Sequence, residues 1–466
     1  MTLHRASRFA LSLSLLGLPA AAGAQAFGLN EIGSCALARA FATTGSPCED
    51  GSSIYWNPGA MPRARGLTAL AGAAVIKIDG DFTRDTTFQR YNADVPTAVV
   101  PHLFLNYRTG SRIALGLGVY VPYGLTSQWG EDFPGRFSAK KASLQTIYVQ
   151  PNIAFQISDG WSIGAGPVIG HSTVELIQGA DLSALPTSTT TPNAPTFGQL
   201  GIAKRTEFAR AQLKGSAMAY GVNVGLHGRI TPNWEMGARF LSSLYFKYDD
   251  ADATFEQRST GLTLAANNPL GAPAGTPVDA LLAPQFAGSG ALTAQKVKTR
   301  IMHPAQAQVG VGYTGFPNTT VSVDYAWVGW KAFKTLPVEF QGPAKASSRE
   351  LLENYNNTSS IRLGLEHRYT SGYALRAGFA AAASAAPDVT VTPLLPEQDR
   401  AYGTLGGTLP INHMFSLDAA YAHIFTPGRR GRIDERQTPT QTADQLNSGA
   451  YTLRANILSL SLKASL

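Results

Sequence analysis

Two cysteines stand close together near the start of the chain, and their chemistry is the easiest to state. Cys35 and Cys48 are the only cysteines among 466 residues. Thiols at this spacing can form a bridge in an oxidising compartment, and closing so short a loop adds about 3 kcal/mol on the chain-entropy model. No histidine lies nearby to complete a metal site. We expect a disulfide, with free thiols as the alternative, and we expect no metal and no other cofactor.

Histidines and serines are the other groups that could support catalysis. The sequence has 8 His, of which His227, His367 and His423 lie in its later part without an evident nucleophile partner. A hydrolase needs a nucleophile held by a base. We therefore expect no enzyme, and hydrolysis of a lipid ester is the observation that would favour a surface lipase or protease instead.

The N-terminus carries the marks of export. Basic residues precede an apolar run, residues 9–18, and small residues follow it. This order is typical of a secretory signal peptide, and the run is too short to span a membrane as a helix. We assign residues 1–24 to a signal peptide cleaved after Ala24 or Ala26, with a short N-terminal anchor as the alternative. Export would bring the two cysteines into an oxidising compartment.

Runs of alternating apolar and small or polar residues fill the chain from about residue 67. In one such run Leu458, Leu460 and Leu462 alternate with Ser459 and Ser461, a period of two that predicts a β-strand. Short connections containing Gly, Pro or Asn alternate with long connections rich in Pro, Asp and Thr. We predict 14 strands, at about residues 67–78, 98–108, 112–124, 144–157, 161–175, 213–229, 234–249, 302–314, 320–332, 358–369, 373–383, 401–409, 413–426 and 451–466.

The asymmetry of the connections selects among β architectures. A soluble sandwich also alternates, but its connections show no systematic difference in length. Short turns at one rim and long loops at the other describe an antiparallel β-barrel in the outer membrane of a Gram-negative bacterium. We therefore predict an all-β transmembrane barrel over residues 67–466. Charged residues on its inward faces should form polar networks; they are Glu235, Arg239, Asp324, Arg362, Glu366, Arg376 and Asp418.

Residues 25–66 do not fit the strand pattern, and they are too apolar for a disordered tail. A barrel of about 14 strands leaves a lumen that its own side chains do not fill. We predict that this segment folds inside the lumen as a plug, with a periplasmic arm as the alternative.

Charge gives little reason to expect a nucleic-acid partner. Charged residues make up 15% of the chain, and the formal net charge is +7. Arg429-Arg430-Gly431-Arg432 is the most basic stretch, and it is expected to contact outer-membrane lipid and lipopolysaccharide or to form a solvated loop.

Ordered motifs across nearly the whole mature chain resemble those of the FadL/TodX-type outer-membrane transporters. Residues 27–31, 38–42 and 50–61 resemble the N-terminal hatch of that family. Further matches are Gly116 to Leu125, Gln150-Pro151-Asn152, Val323 to Trp327, Leu375 to Gly378 and Leu395 to Arg400.

The resemblance implies a 14-stranded monomeric barrel that moves long-chain fatty acids or other hydrophobic compounds. It places Asn57, Pro58 and Gly59 in the hatch, where the family usually has Asn-Pro-Ala, and glycine adds backbone freedom. Leu466 stands where an aromatic residue is usual, a difference that bears on recognition by the barrel assembly machinery.

The resemblance also implies a route. Outer loops capture the ligand, and the hatch rearranges to connect an inner pocket with a lateral opening. We expect the opening where proline interrupts a strand pattern, at Gly116, Gly118, Pro122 and Gly124. Arginine is the natural partner of a fatty-acid carboxylate. The expected substrate-binding residues are Leu176, Ile177, Leu281, Leu282, Phe286, Arg376 and Arg400.

Two other functions stay open for such a barrel. A porin for small polar solutes would need an open lumen, against which the apolar plug argues. A surface receptor or adhesin role could coexist with transport, because any large exposed loop can serve it.

Overall fold

The computed structural model describes residues 26–108, 110, 112–187, 193–268, 270–434 and 440–466. Fourteen antiparallel strands form one closed wall, and β1 pairs with β14 from Thr68 opposite Ser465 to Arg84 opposite Gly449. The prediction of a 14-stranded barrel is confirmed. The strands are β1 (Gly66–Arg84), β2 (Ala98–Arg108), β3 (Ile113–Gln128), β4 (Lys141–Gln156), β5 (Trp161–Asp181), β6 (Glu207–Thr231), β7 (Trp234–Leu241 and Leu244–Gln257), β8 (Gln295–His303 and Gln306–Phe316), β9 (Thr319–Val328), β10 (Thr358–Arg368), β11 (Ala374–Ala382), β12 (Arg400–Pro410), β13 (Phe415–Phe425) and β14 (Gly449–Ser465).

The wall is apolar outside and polar inside. On β14, Leu458, Leu460 and Leu462 are exposed, whereas Ser459 and Ser461 are buried. This is the reverse of a soluble sandwich, and it requires hydrocarbon around the barrel. Several strands are longer than predicted; β6 begins at Glu207 and β7 continues to Gln257. Their added ends lie beyond the apolar band, where the outward side chains such as Asp252 and Thr254 are polar and the buried ones such as Ala251 and Ala253 are small, so the apolar outer face that marks a strand in lipid is missing there.

The connections contain short elements. The α-helices of the described residues are short: α1 (Ser34–Ala38), α2 (Ser53–Trp56), α3 (Val278–Leu282) and α4 (Ala443–Leu446). Among the described residues, no helix is long and apolar enough to cross a membrane. Short strands lie at Arg90–Asn92, Thr335–Phe340, Arg349–Leu352 and Arg429–Gly431, and 3-10 helices at Pro58–Arg63, Pro134–Phe137, Leu182–Ala184, Phe197–Leu200, Ala283–Phe286, Trp330–Ala332, Pro343–Ser347 and Asp388–Thr390.

Residues 26–65, the N-terminal segment, lie within the barrel and are almost entirely buried. Helix α1 packs on β12 and β13, whereas the 3-10 helix Pro58–Arg63 packs on β4, β5 and β6. Asp324 of β9 accepts a hydrogen bond from the Thr44 backbone N–H at 2.6 Å. The segment therefore touches strands all around the wall. The predicted signal peptide, residues 1–24, lies outside the described residues.

Strands β2 and β3 separate in their outer halves. Their ladder runs from Arg108 opposite Ala114 to His102 opposite Tyr120. In the described part of the chain β3 has no ladder partner in β2 beyond Tyr120. The ladder between β3 and β4 also changes register between Tyr120 and Tyr123. Next to Pro122 the wall is therefore interrupted on the β2 side and bulged on the β4 side.

Candidate functional site

An apolar cavity of about 100 Å³ lies inside the outer half of the barrel. It is lined by β3 to β6, by β8 and by residues of the long connections. Of the described residues that line it, Glu175 is the charged one, and its carboxylate is paired with Lys141 at 2.6 Å. The remaining lining is largely aliphatic and aromatic, including Leu125, Leu144, Val174, Leu213, Ile301 and Leu395.

Phe27 of the N-terminal segment closes one side of this cavity. Its ring centroid lies 4.7 Å from that of Trp330 and 5.8 Å from those of Phe333 and His303. Tyr123 is 5.9 Å away. Two of these rings are fixed in turn, because Tyr148 Oη shares a hydrogen bond with His303 Nδ1 and Gln306 donates to Tyr123 Oη, both at 2.9 Å. The phenyl group therefore occupies a rigid aromatic cage.

The backbone around Phe27 binds β3 where β2 has separated from it. The Leu29 N–H donates to the Pro122 carbonyl at 2.8 Å, and the Gly124 N–H donates to the Phe27 carbonyl at 3.0 Å. A residue that lines the cavity is thus also paired with the interrupted strand, so movement at one place must affect the other.

Pro122 and Gly124, two of the residues expected at a lateral opening, lie at this interruption. Gly116 and Gly118 do not, because they pair with Asn106 and Phe104 in the intact ladder. A Cβ atom on either would lie within about 3 Å of the Ile54 side chain. These glycines make room for α2 of the N-terminal segment, so we do not assign them to an opening.

Asn57, Pro58 and Gly59 lie where the N-terminal segment meets β6. The Asn57 Nδ2 group donates to the carbonyls of Thr44 and Leu226, at 2.8 and 3.0 Å. A Cβ atom on Gly59 would lie 2.7 Å from the Gly225 carbonyl oxygen. Close approach to the wall is therefore the physical reason for glycine here; the φ angle of Gly59 is not positive, and the freedom expected from the sequence is not used.

The expected substrate-binding leucines and phenylalanine are divided between two places. Leu176 lines the apolar cavity, and its neighbour Ile177 pairs with Lys141 and Gln212 in the wall. Leu282 is buried in a separate cluster of the outer loops, with Phe286 packed against it. Leu281 is exposed. The loop residues pack the loops together and lie apart from the cavity.

The two expected carboxylate-binding arginines also lie outside this cavity. Arg376 is buried between Glu366 and Asp418, at 2.5 and 3.0 Å, and lines a polar cavity of about 200 Å³ near the rim of short turns. Arg400 donates to the Ala26 carbonyl at 3.2 Å. Both therefore have structural partners, and we do not assign either to carboxylate binding.

The remaining inward charges are held in polar networks with the N-terminal segment, as expected. Arg239 lies over the Tyr55 ring at 4.1 Å and donates to Asn223 and Gln306. Glu235 pairs with Arg63, and Arg362 lies 5.6 Å from the Trp56 ring centroid. Such pairs fix the segment to the wall, since breaking one would leave a buried charge without compensation.

Cys35 and Cys48 are joined as a disulfide, with their Cα atoms 6.3 Å apart. Their sulfur atoms and a carboxylate oxygen of Asp50 form the group of potential metal ligands found among the described residues. Sulfur atoms bonded to each other are not the thiolates that bind zinc, so this group does not make a metal centre in the oxidised protein.

One serine and histidine pair escaped the sequence reasoning. Residues 160–164 match the G-x-S-x-G spacing, and Ser162 lies opposite His227 on the neighbouring strand. The Ser162 hydroxyl donates to the Gly59 carbonyl at 2.6 Å, while His227 Nε2 faces the Gly45 carbonyl and Glu235. The serine is also on a strand and not on the strand-to-helix turn of a hydrolase. This geometry does not activate a nucleophile.

The sequence reasoning also missed the aromatic cage. Tyr123 and Trp330 are buried in the lumen, whereas Trp234 and Tyr245 are exposed on the outer face. Tyr123 adjoins a register shift, where a strand residue can face either way, and Trp330 lies in a 3-10 helix, so period-two counting cannot assign the face of either residue.

Comparisons with known proteins agree with this architecture. The family model "Outer membrane protein transport protein (OMPP1/FadL/TodX)" matches residues 16–465. A long-chain fatty acid transport protein of Escherichia coli is 26% identical over 91% of this chain and 92% of its own.

Two solved structures share the fold. A Pseudomonas aeruginosa FadL homologue has a TM-score of 0.77 at 19% identity, covering 95% of this chain and 100% of its own. The toluene transporter TodX of P. putida has a TM-score of 0.67 at 15% identity, covering 95% and 99%. From the match along almost its whole length, the chain belongs to the OMPP1/FadL/TodX family of outer-membrane transport proteins.

Proposed function

We propose that this barrel carries long-chain fatty acids or other hydrophobic compounds passively across the outer membrane. The outer loops capture the compound, the apolar cavity holds it, and displacement of Phe27 releases it through the interruption between β2 and β3. The observation that carries this proposal is the double role of Phe27, which lines the cavity and is hydrogen-bonded through its carbonyl to Gly124 of the interrupted strand.

The chemistry of the cavity supports a hydrophobic cargo. Few polar groups line it, and an apolar molecule gains roughly 25 cal/mol for each Å² of apolar surface that it removes from water. A compound that leaves sideways into the bilayer keeps this gain, whereas one that leaves into the periplasm loses it. Lateral release is therefore the favourable direction for an oily molecule.

The fixed part of the N-terminal segment supports the same route. Residues beyond Ser34 are held to the wall by buried hydrogen bonds such as that from Arg39 to Ser322 at 3.0 Å and by the Cys35–Cys48 bond. Phe27 to Leu29 are held mainly by two backbone hydrogen bonds to β3 and by the cage. The part that we expect to move is therefore short, and the rest keeps the lumen closed.

Replacement of Pro122 and Gly124 by valine tests the release step. Regular pairing at this point should close the interruption, so uptake of radiolabelled oleate by cells should slow by about tenfold, the effect of about 1.4 kcal/mol on a barrier. The barrel should still assemble, shown by its shift on unheated gels. Pro151→Val, on the outer face of β4, is the matched control. Normal uptake by the double variant would refute release at this position.

The porin alternative makes a different prediction for the purified protein. An open channel for polar solutes would give large, steady single-channel currents in a planar bilayer, whereas a barrel closed by the N-terminal segment should not. Mass spectrometry of compounds that co-purify in mild detergent would identify the cargo class.

A further inference from the structure

A second interruption of the wall separates β6 from β7. Their ladder runs from Thr231 to Asn223 on β6 and resumes from Lys214 to Ala209. Between these parts, in a fully described stretch, residues 215–221 of β6 have no ladder partners in β7. We call this stretch of β6, together with residues 243–251 of β7, the seam.

The seam is not a general loosening of the sheet. Strand β6 is paired with β5 throughout, including Gly215 opposite Val174 and Gly221 opposite Val168. Residues Leu244–Tyr248 of β7 are paired with β8. Paired strands thus border the seam on both sides, although the β7–β8 ladder shifts register between Tyr248 and Ala251. A barrel wall in lipid normally satisfies every backbone group by pairing, since each unsatisfied group costs several kcal/mol there, so an interruption of this length calls for a functional reason.

At the end of the seam nearer the short turn between β6 and β7, the Ser242 side chain terminates the ladder. The Ser242 N–H donates to the Val222 carbonyl at 2.9 Å, and the Ser242 hydroxyl accepts from the Val222 N–H at 2.9 Å. The hydroxyl takes the place of the next backbone carbonyl. This arrangement ends the ladder at a defined residue.

Side chains close the seam from the inside. Ala217 and Ala219 of β6 are small and buried, and Phe246 and Tyr248 of β7 reach across them to β5. The Tyr248 hydroxyl donates to Ser172 at 2.8 Å, and a Cβ atom on Gly170 would lie 2.7 Å from the Phe246 ring. Side chains can change rotamer, so this closure can open without unfolding a strand.

The closing side chains are the direct neighbours of the apolar cavity. Phe246 pairs with Ile301 and Tyr248 pairs with Thr299 across the β7–β8 ladder. Both Ile301 and Thr299 line the cavity, as does Leu213 at the outer end of the seam. One layer of side chains therefore separates the seam from the cavity.

The lipid-facing surface of the seam lies at the depth of the outer leaflet. Tyr220 is 71% exposed and Tyr245 is 61% exposed, and exposed aromatic rings are typical of the membrane interface. Lys214 and Lys247 follow on the outer side of these residues, where the apolar band ends. A hydrophobic molecule dissolved in the outer leaflet reaches the seam at this depth.

We propose that the seam is a lateral entrance, through which hydrophobic compounds already dissolved in the outer leaflet reach the apolar cavity, with Phe246 and Tyr248 as its gate. This inference rests on the proposed function, since it assigns a second source to the same cavity. Release would still occur at the separate interruption between β2 and β3.

A disulfide across the seam tests the entrance. The ideal Cβ position of Gly215 is 2.6 Å from the Ala251 Cβ, so the pair Gly215→Cys and Ala251→Cys can bridge after a small shift. The matched control, Val224→Cys and Phe240→Cys, joins the same two strands where they are already paired. Both variants are prepared in outer-membrane vesicles, oxidised or reduced.

A long-chain fatty alcohol carrying a diazirine is the probe, because it is uncharged and partitions into the vesicle membrane. After illumination, mass spectrometry measures labelling of Leu176 and Ile301 in the cavity. Oxidation of the seam pair should reduce this labelling by about tenfold or more, since the bridge prevents β6 and β7 from moving apart at the outer end of the seam. Oxidation of the control pair should leave it unchanged.

Two other outcomes separate the proposals. Cavity labelling that survives oxidation of the seam pair would overturn the entrance but leave the cavity as the binding site. An unlabelled cavity in every form of the protein would overturn the proposed function and the entrance together. Tyr248→Ala gives a second test if the cysteine pair fails to fold: it should accelerate cavity labelling severalfold, and an unchanged rate would count against the gate.

Discussion

The Phe27→Ala substitution removes the side chain that closes the apolar cavity. Phe27 is buried against Trp330, Phe333, His303 and Tyr123. Truncation of a buried phenylalanine to alanine costs about 3–5 kcal/mol. Because residues 26–32 form a short segment that can relax, we take the lower value of about 3 kcal/mol for loss of the docked arrangement.

Hydrogen exchange measures this loss directly. The Leu29 amide donates to Pro122 and the Gly124 amide donates to Phe27, so both are protected only while the segment is docked. Exchange rates of locally protected amides follow the opening free energy. A loss of about 3 kcal/mol should accelerate both amides by about a hundredfold, since each 1.4 kcal/mol is a factor of ten.

Two controls make this result specific. The Thr44 amide, bonded to Asp324 in the fixed part of the N-terminal segment, should exchange at its original rate. Phe41→Ala removes another buried phenylalanine, which stacks on Trp56, and it should not accelerate Leu29 to the same extent. If Leu29 and Gly124 exchange at wild-type rates in Phe27→Ala, the side chain does not hold the segment and our release mechanism is wrong.

Three further changes test other parts of the structure. Gly59→Ala should lower the denaturation midpoint, because the new Cβ would lie 2.7 Å from the Gly225 carbonyl oxygen and such overpacking costs about 1–3 kcal/mol. The control Gly110→Ala, whose Cβ would have no atom within 4 Å, should leave the midpoint unchanged. Equal midpoints for the two variants would refute the close approach. Replacing Cys35 and Cys48 by serine should speed amide exchange within residues 36–47, because the disulfide stabilises this loop by up to about 3 kcal/mol. The reduced wild-type protein should exchange equally fast. Unchanged exchange would mean that buried contacts alone hold the loop. Hydrogen bonds from Arg210 and Lys140 lower the pKa of Glu131 from 4.5 to about 2. The ionised carboxylate therefore stabilises the folded loop above pH 4.5, by about 0–1 kcal/mol for an exposed pair, and this stabilisation is lost as the pH falls towards 2. Pepsin should therefore cut residues 129–140 faster in Glu131→Gln than in wild type at pH 4.5 but equally at pH 2, and a difference that persists at pH 2 would contradict this assignment.

The fold was predictable because the membrane imposes it. A strand that faces lipid on one side must alternate apolar and polar side chains, and this alternation revealed all 14 strands. For β2 the predicted and observed bounds are identical. The prediction was less accurate where that constraint ends. The outer faces of β6 and β7 are polar beyond the apolar band, and the predicted end of β9 is instead the 3-10 helix Trp330–Ala332.

The site was predictable only in part. Pro122 could be singled out because proline has no N–H for a ladder, and Leu176 because an apolar residue next to an outer loop suggested a contact surface. The expected carboxylate-binding role of Arg376 could not be judged from the sequence, since the sequence does not show that Glu366 and Asp418 lie within reach of Arg376.

What the sequence determined by itself is the class of the molecule: an exported chain whose side chains alternate along many strands, with an apolar segment ahead of them. The tertiary structure alone decided which residues meet. Phe27 is about 300 residues from Trp330 and Phe333 in sequence, yet their rings form one cage, and the seam arises where the ladders of β6 with β7 on either side of it do not join. Period-two alternation reports the face of a side chain, but not the height at which a strand is paired or interrupted, because that depends on the partner strand and on what fills the lumen.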